Sequence, residues 1–542
     1  METKNNAISA ICIGLISFAF LIPWIYVQSQ TSINSNSAWL TLCAQRLLEG
    51  GLLSTDCYDT NPPLSILAYT PFVLLGDILS VEIFHMLFWL SFIGIIFSVL
   101  ATYKLSGLLQ VFTHNERLVL AISSLCALTI WHNYYVSERE HFIGMMLLPF
   151  ILTQINITAK NHIPYLLKFS VLILGTIVFL IKPHYGLIPA FILLHRMITQ
   201  RRLWVIKDAD FLVLSIGSIA YILIVLSFFQ DFITVILPDV LWFYLPYNNP
   251  HIVFKQTQVY SFFVVLLIYS TFLIRNQDKQ KKLSLLSFCT LLGVTIYTLQ
   301  MKGFYYHILS TFSIFIPITS LTLYILLFER FKRLNTSPYS TIITILVISF
   351  VFGLSYIRRT PNMDFPTHHD YQNNTITQYI DQHCDEPCSY LITYNNMDIV
   401  NQIAFYSKHT NATRFPSFWF QPSFEGYSQA PEEHHGETLD EAKIRYANYI
   451  AEDLTRFSPS LLLLLKHPEE DDENKPKIHK LNMNFFDYYK EYKSIQSIAK
   501  SYEKIDTFTI DIRQFYKGTS HDKKSLITWD VYKKNQGSID ED

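Results

Sequence analysis

Apolar residues fill long, nearly unbroken stretches through the first two thirds of the chain and then give way to polar sequence. A helix needs about 20 apolar residues to cross the hydrocarbon core of a bilayer. Backbone groups in hydrocarbon must bond within their own segment, so runs of that length predict membrane-spanning helices. Eleven are found, at 7–27, 83–103, 118–133, 142–158, 165–181, 185–198, 209–229, 259–274, 283–300, 307–328 and 339–357. Those at 142–158 and 185–198 are short, which suits tilted, re-entrant or internally buried helices. The pattern predicts a polytopic α-helical membrane domain over 1–358 with about eleven transmembrane helices, followed by a soluble domain over 359–542.

The soluble part reads as α/β. Residues 389–394 and 461–465 suit strands, the segment after 394 a helix, 485–504 a helix rich in Tyr, Lys, Glu and Ile, and 506–512 another strand. The stretch 469–473 is acidic and suits a solvated loop. Within the membrane part the first outer loop, at about 28–82, holds apolar residues at helical spacing from Ala38 to Glu49 with a Gly50-Gly51 stop, the pattern of an amphipathic helix lying in the membrane interface. The prolines of Asn61-Pro62-Pro63 exclude a helix interior there.

Basic residues set the orientation. One set of loops and span ends carries fifteen (Lys4, Lys104, Arg117, Lys160, Arg196, Arg201, Arg202, Lys207, Arg275, Lys279, Lys281, Lys282, Arg330, Lys332 and Arg333) against five in the other (Arg46, Arg139, Lys182, Lys255 and Lys302). The N-terminus is therefore expected in the cytoplasm, and eleven crossings would put the C-terminal domain outside. The first run lacks a strongly basic start and a small-x-small cleavage site, and reads as a helix rather than a cleaved signal.

Composition adds what the pattern leaves open. The 542 residues are 50% hydrophobic, 15% aromatic and only 16% charged, against about 25% charged in soluble domains. A net charge of −2 gives no nucleic-acid footprint. Cys43 with Cys57, and Cys384 with Cys388, form two pairs on the expected oxidising side, where disulfides are the first reading and metal binding by the second pair the other. Cys12, Cys126 and Cys289 fall within spans and read as small packing residues.

Ionisable groups beside a membrane are costly and default to function. Four clusters lie at the outer ends of different spans. Asp56 and Asp59, three apart before Asn61-Pro62-Pro63, can act as a general base, hold Mg²⁺ or Mn²⁺, or simply form an Asx-turn or cap. Ser137-Glu138-Arg139-Glu140-His141 can bind a phosphate through Arg139, or cap the next helix. Lys182-Pro183-His184 breaks the positive-inside bias and either holds an anion or snorkels. Lys302-Gly303-Phe304-Tyr305-Tyr306-His307 sets a cation among aromatics, which suits a phosphate beside a sugar or lipid chain, or an aromatic belt. One acidic loop and three basic corners match transfer from a polyprenyl-phosphate sugar: a base takes the acceptor proton and cations stabilise the departing phosphate.

These residues resemble the loop motifs of the GT-C superfamily of membrane glycosyltransferases, in particular a bacterial group related to the lipid A aminoarabinose transferases and protein O-mannosyltransferases. The resemblance is carried by Leu47-Leu48-Glu49-Gly50-Gly51 with Asp56 and Asn61-Pro62-Pro63-Leu64, and by the other three clusters in their order. It implies a bundle of about 11–13 helices, an interfacial outer loop, inverting transfer from a polyprenyl-phosphate-linked sugar to a glycan, lipid or protein acceptor, and a C-terminal periplasmic domain. It implies Asp56 as the base with Asp59 second, and Arg139, Lys182, His184, Lys302 and His307 toward the donor phosphate. Glu138, Glu140, His141, Asn61, Tyr305 and Tyr306 would then line the substrate pocket. The relatives named carry an Asp-Glu pair just after the first span, where this chain has Asn34-Ser35-Asn36-Ser37. A transporter or lipid flippase, and a non-catalytic envelope protein, are the other function classes open to this layout. The first would show inverted repeats and midplane charges, and no repeat is visible in the chain.

Overall fold

A computed structural model describes residues 21–201, 203–246, 248–330, 366–384, 388–393, 397–424, 430–466, 491–511 and 526–535, with Ala19, Tyr489 and Phe515. Part of the first expected span, the whole of the last, Cys12 and the acidic stretch 469–473 lie outside the described residues. The chain divides into two compact units. One comprises Met1–Ser29, Leu74–Val225 and Asn249–Met363; the other comprises Gln30–Val73, Leu226–Asn248 and Asp364–Asp542.

The first unit is helical, and the apolar runs are the helices. Among the described residues, six helices are long and apolar enough to cross a bilayer: Ile83–Leu108, Arg139–Thr158, Ala209–Phe228, Pro250–Phe272, Gln277–Gln300, and the segment Tyr305–Glu329. The chain is a multi-pass membrane protein. Three further expected runs are also helices but shorter, at His114–Leu128, Tyr165–Ile181 and Leu187–Gln200. Arg139–Thr158 is the inner helix, with almost every side chain buried, and packs on Ile83–Leu108, Tyr165–Ile181 and Leu309–Arg330. Ala209–Phe228 is apolar all round and leaves Ile216, Ile219, Ile222 and Leu223 exposed, as a helix facing lipid does. Close approach depends on small residues: a Cβ at Gly293 would come within 2.5 Å of Thr311 Oγ1 on the neighbouring helix. His114–Leu128 begins at a capping box, in which Thr113 Oγ1 accepts from Glu116 N at 3.3 Å and Thr113 N donates to Glu116 Oε2 at 2.8 Å.

Among the described residues the second unit is built on a five-stranded sheet of order β2-β1-β5-β7-β6. Its strands are β1 (Ser389–Ile392), β2 (Thr410–Asn411), β5 (Leu461–Lys466), β6 (Tyr502–Asp511) and β7 (Leu526–Lys534), while β3 (Glu433–His434) and β4 (Glu437–Thr438) pair separately. β1 runs parallel to β2 and β5; β7 runs antiparallel to β5 and β6. The apolar run Leu461–Leu465 is central and buried, as expected of a strand covered on both faces.

Of the helix expected over 485–504, residues 485–488 and 490 lie outside the described residues; the described part is helical at Lys493–Ala499, and β6 already begins at Tyr502. From there the aromatic and β-branched residues of β6 find a partner in β7, and pairing overrides the helical reading. The helix Ser35–Leu48 starts at Asn34, whose Oδ1 accepts from Ser37 N at 3.0 Å, so this polar segment is a helix cap. Its apolar face, with Ala38, Trp39, Leu40, Cys43 and Ala44 buried, packs on Met397–Tyr406. Cys43 is bonded to Cys57 and Cys384 to Cys388.

Leu463 is fully buried and pairs with Ile392 and Val531 in register. Leu463→Ala should cost about 2–5 kcal/mol, seen as a lower unfolding midpoint of the full-length protein in detergent. Ile505→Ala, on the exposed side of β6, should change it by no more than about 0.5 kcal/mol. Equal effects would contradict this placement of the core.

Candidate functional site

Three of the four charged clusters meet inside the membrane unit. Each comes from a tight turn between helices. Ser137 closes the turn before Arg139–Thr158 in the left-handed region (φ 69°), and Met301 and Gly303 do the same before the helix that starts at Leu309 (φ 53° and 75°). Such conformations cost a non-glycine residue roughly 1 kcal/mol or more and persist where the surroundings enforce them.

Glu140 stands at the centre. Its Oε1 is bound by Lys182 Nζ and lies 3.7 Å from His307 Nε2, so one carboxylate ties the second, third and fourth motifs together. Glu138 Oε1 takes the Arg139 guanidinium at 3.3 Å. Lys182 Nζ lies 5.7 Å from the centre of the Tyr306 ring, which stacks on Phe304 and meets His307 edge-on. Tyr185 hydroxyl donates to His307 O at 2.9 Å. Tyr135, just before the second motif, packs against Tyr305 and Tyr306 at ring separations of 6.4 and 5.8 Å. Glu138, Arg139, Glu140, Lys182, Lys302 and His307 are all buried.

Three cations against two carboxylates leave this cluster one positive charge in excess when all are ionised. Glu138 Oε2, Glu140 Oε2, His184 Nε2 and His307 Nδ1 are buried with no hydrogen-bond partner among the described residues. Buried polar atoms are normally satisfied, so these four are left able to bond a polar ligand atom or water. Burial pulls Lys302 down to about 8, and it lowers Lys182 against the pull of Glu140. Burial, with Lys182 and Arg139 nearby, drops His184 to about 3, so its imidazole is neutral. Burial pushes Glu138 up despite Arg139. His141 is different: its Nε2 donates to Leu128 O at 2.9 Å and its Nδ1 accepts from Ser137 N at 3.2 Å, so both ring nitrogens brace the turn.

Asp56 and Asp59 belong to the other unit. Asp56 is buried; its Oδ1 is held by Arg456 Nη2, and its Oδ2 accepts from Leu52 N at 2.9 Å and Thr55 Oγ1 at 2.8 Å. Burial alone would raise its pKa, but the Arg456 bond and the two neutral donors outweigh that and lower it. Asp59 Oδ1 accepts from Asn61 N at 2.7 Å and Asn61 Nδ2 at 2.6 Å, an Asx-turn that shapes the proline segment. Among the described residues no group of three or more His, Cys, Asp or Glu could hold a metal.

Sequence reading missed the residues that hold this unit together. Asp239 takes Arg445 through both oxygens at 2.8 and 2.9 Å, along with the hydroxyls of Tyr58 at 2.6 Å and Tyr446 at 2.7 Å. Arg414 binds Asp453 at 2.8 Å and Glu452 at 2.9 Å, and Arg46 bonds the carbonyls of Asp56, Asn411 and Thr413. Burial, countered by Arg414, leaves Asp453 at about 6.

No protein-family model matches the chain, and no curated protein matches it. Among solved structures it is similar to ArnT from Cupriavidus metallidurans in the apo state, with 8% identity, 74% of this chain and 84% of that one covered, and a TM-score of 0.47. It is similar to ArnT bound to undecaprenyl phosphate at 9% identity, 74% and 85% coverage, and a TM-score of 0.46. The arabinofuranosyltransferase AftD from Mycobacteria is also similar, at 10% identity and a TM-score of 0.42, with 96% of this chain covering 40% of AftD.

Glu140→Met strands the Lys182 ammonium in a buried site and should destabilise the full-length protein by about 3–5 kcal/mol, while Glu140→Met with Lys182→Met should be less destabilised than the single variant. A double-mutant cycle in chemical unfolding reads this. Strict additivity would show that the pair is not coupled.

Proposed function

We propose that the chain is a membrane glycosyltransferase of the GT-C type, moving a sugar from a polyprenyl-phosphate donor to an envelope glycan, lipid or protein on the outer face of a bacterial inner membrane. The observation that carries this reading is the convergence of three inter-helix turns on one buried, cation-rich cluster with unsatisfied polar atoms. Buried charge of this density needs a purpose beyond stability, because desolvation cancels most of what an ion pair contributes. The finer topology belongs to the same proposal: eleven crossings, the N-terminus in the cytoplasm and residues 359–542 in the periplasm.

In this reading Lys182, Arg139 and Lys302 take the donor phosphate, and His184 and His307 add hydrogen bonds. Glu138 and Glu140 hold the cations in place until the phosphate competes for them. Tyr305 and Tyr306 face the sugar. Asp56 accepts the proton of the acceptor hydroxyl, the hydroxyl oxygen bonds to the anomeric carbon from the side opposite the phosphate, and the carbon–oxygen bond to phosphate breaks with its electron pair going to the phosphate. That displacement inverts the anomeric centre.

Asp56→Asn should abolish transfer of radiolabelled sugar from the lipid carrier while expression and carrier binding persist; unchanged transfer would remove Asp56 from the mechanism. Lys302, charged below and neutral above about 8, should make carrier-phosphate binding weaken as pH rises through that value. Lys302→Arg should move this limb to higher pH, because guanidinium keeps its proton. A limb that stays in place would assign the titration to another group.

A further inference from the structure

Beside Asp56, the second unit contains a cavity of about 880 Å³, within the size range of small-molecule sites. Most of the side chains around it are polar, and Thr55, Asn448, Thr455, Ser494 and Ser497 bring hydroxyls and an amide to a wall that also presents carbon surface. These hydroxyls and the amide can exchange hydrogen bonds with the hydroxyls of a saccharide, and the carbon surface can pack on its ring faces.

Two guanidiniums also reach the wall, and they are held very differently. Arg414 is locked: it binds Asp453 and Glu452 and donates to the carbonyls of Ser54 and Tyr449, each at 3.2 Å. Arg456 extends over the Phe457 ring with its side chain 49% exposed, and bonds Asp56 and the carbonyl of Thr55. Arg456 is the half-exposed end of this pair while Asp56 is buried, so it is the guanidinium that can turn to another anion. Asp56 cannot follow, because Leu52 N and Thr55 Oγ1 keep its carboxylate in place.

We propose that this cavity is a subsite for a saccharide bearing a carboxylate or phosphate, and that this anionic group draws Arg456 away from Asp56. An Arg–carboxylate or Arg–phosphate fork is among the stronger polar contacts available. Once Arg456 has turned, Asp56 keeps two neutral donors and loses its only cationic one among the described residues, which makes it a better proton acceptor. The occupant thereby unmasks the base. The identification of this occupant with the acceptor rests on the transferase reading; the binding does not.

The test is calorimetry on the full-length protein in lipid nanodiscs with three probes: tetragalacturonate, maltotetraose carrying a terminal phosphate, and neutral maltotetraose. At least one acidic probe should bind, with the neutral one weaker by about tenfold or more. Which acid binds identifies the anionic group. Ser497→Trp, which fills the cavity from an exposed position, and Arg456→Gln should each weaken acidic binding by about tenfold or more. Binding of the neutral probe as tight as the acidic ones, acidic binding unchanged in both variants, or no acidic binding at all would overturn the proposal. Failure of the transferase reading looks different: Arg456-dependent acidic binding intact, with no sugar moved from a polyprenyl-phosphate donor.

Discussion

The membrane unit's polar corner depends on one carboxylate. Glu140 sits at the start of the helix with the most buried surroundings, and its oxygen meets both Lys182 and His307. A carboxylate and an ammonium removed from water each carry a desolvation cost of several kcal/mol, and their attraction offsets it only when the geometry is tight. The three turns that supply these groups therefore cannot drift apart without exposing an unpaired charge to apolar surroundings. Their left-handed residues and stacked aromatics are tolerated because the charge contact enforces them. The same constraint leaves the corner slightly cationic, with four buried polar atoms lacking a hydrogen-bond partner among the described residues.

The second unit solves a different problem. Its segments come from three separate parts of the chain, and arginine contacts join them: Arg445 to Asp239, Arg456 to Asp56, and Arg46 to the carbonyls of the 411–413 turn. Aromatic side chains fill the space between, with Tyr58 touching Phe415, Trp419, Tyr446 and Tyr449. Asp56 is thus both part of this framework and the proposed base. A carboxylate clamped by a cation is stable but weakly basic, so its two roles conflict until the clamp opens.

What was legible in the chain follows from solvent. Apolar runs read as helices because lipid gives the backbone no other choice, and Lys182, Arg139 and Lys302 stood out because charge at a span end is expensive. The same contrast fails in the polar region. Arg414, Arg445 and Arg456 look like any surface arginine in sequence, and only the fold shows which carboxylate each one meets. The segment Phe232–Tyr244 reads as apolar chain with nothing to announce that Asp239 within it anchors an arginine and two tyrosines. Strand β7 was missed although Ile527, Trp529 and Val531 alternate with polar neighbours, because its role depends on a partner far away in the chain. His141 carries a motif's charge pattern but braces a turn, a difference that residue type alone does not encode.

The most direct measurement is an experimental structure of the protein with a polyprenyl phosphate bound in a lipid nanodisc. The account predicts the phosphate within hydrogen-bond reach of Lys182, Arg139 or Lys302, with the Lys182 ammonium turned from Glu140 toward it. A phosphate bound away from all three cations, with the Glu140–Lys182 contact unchanged, would contradict it.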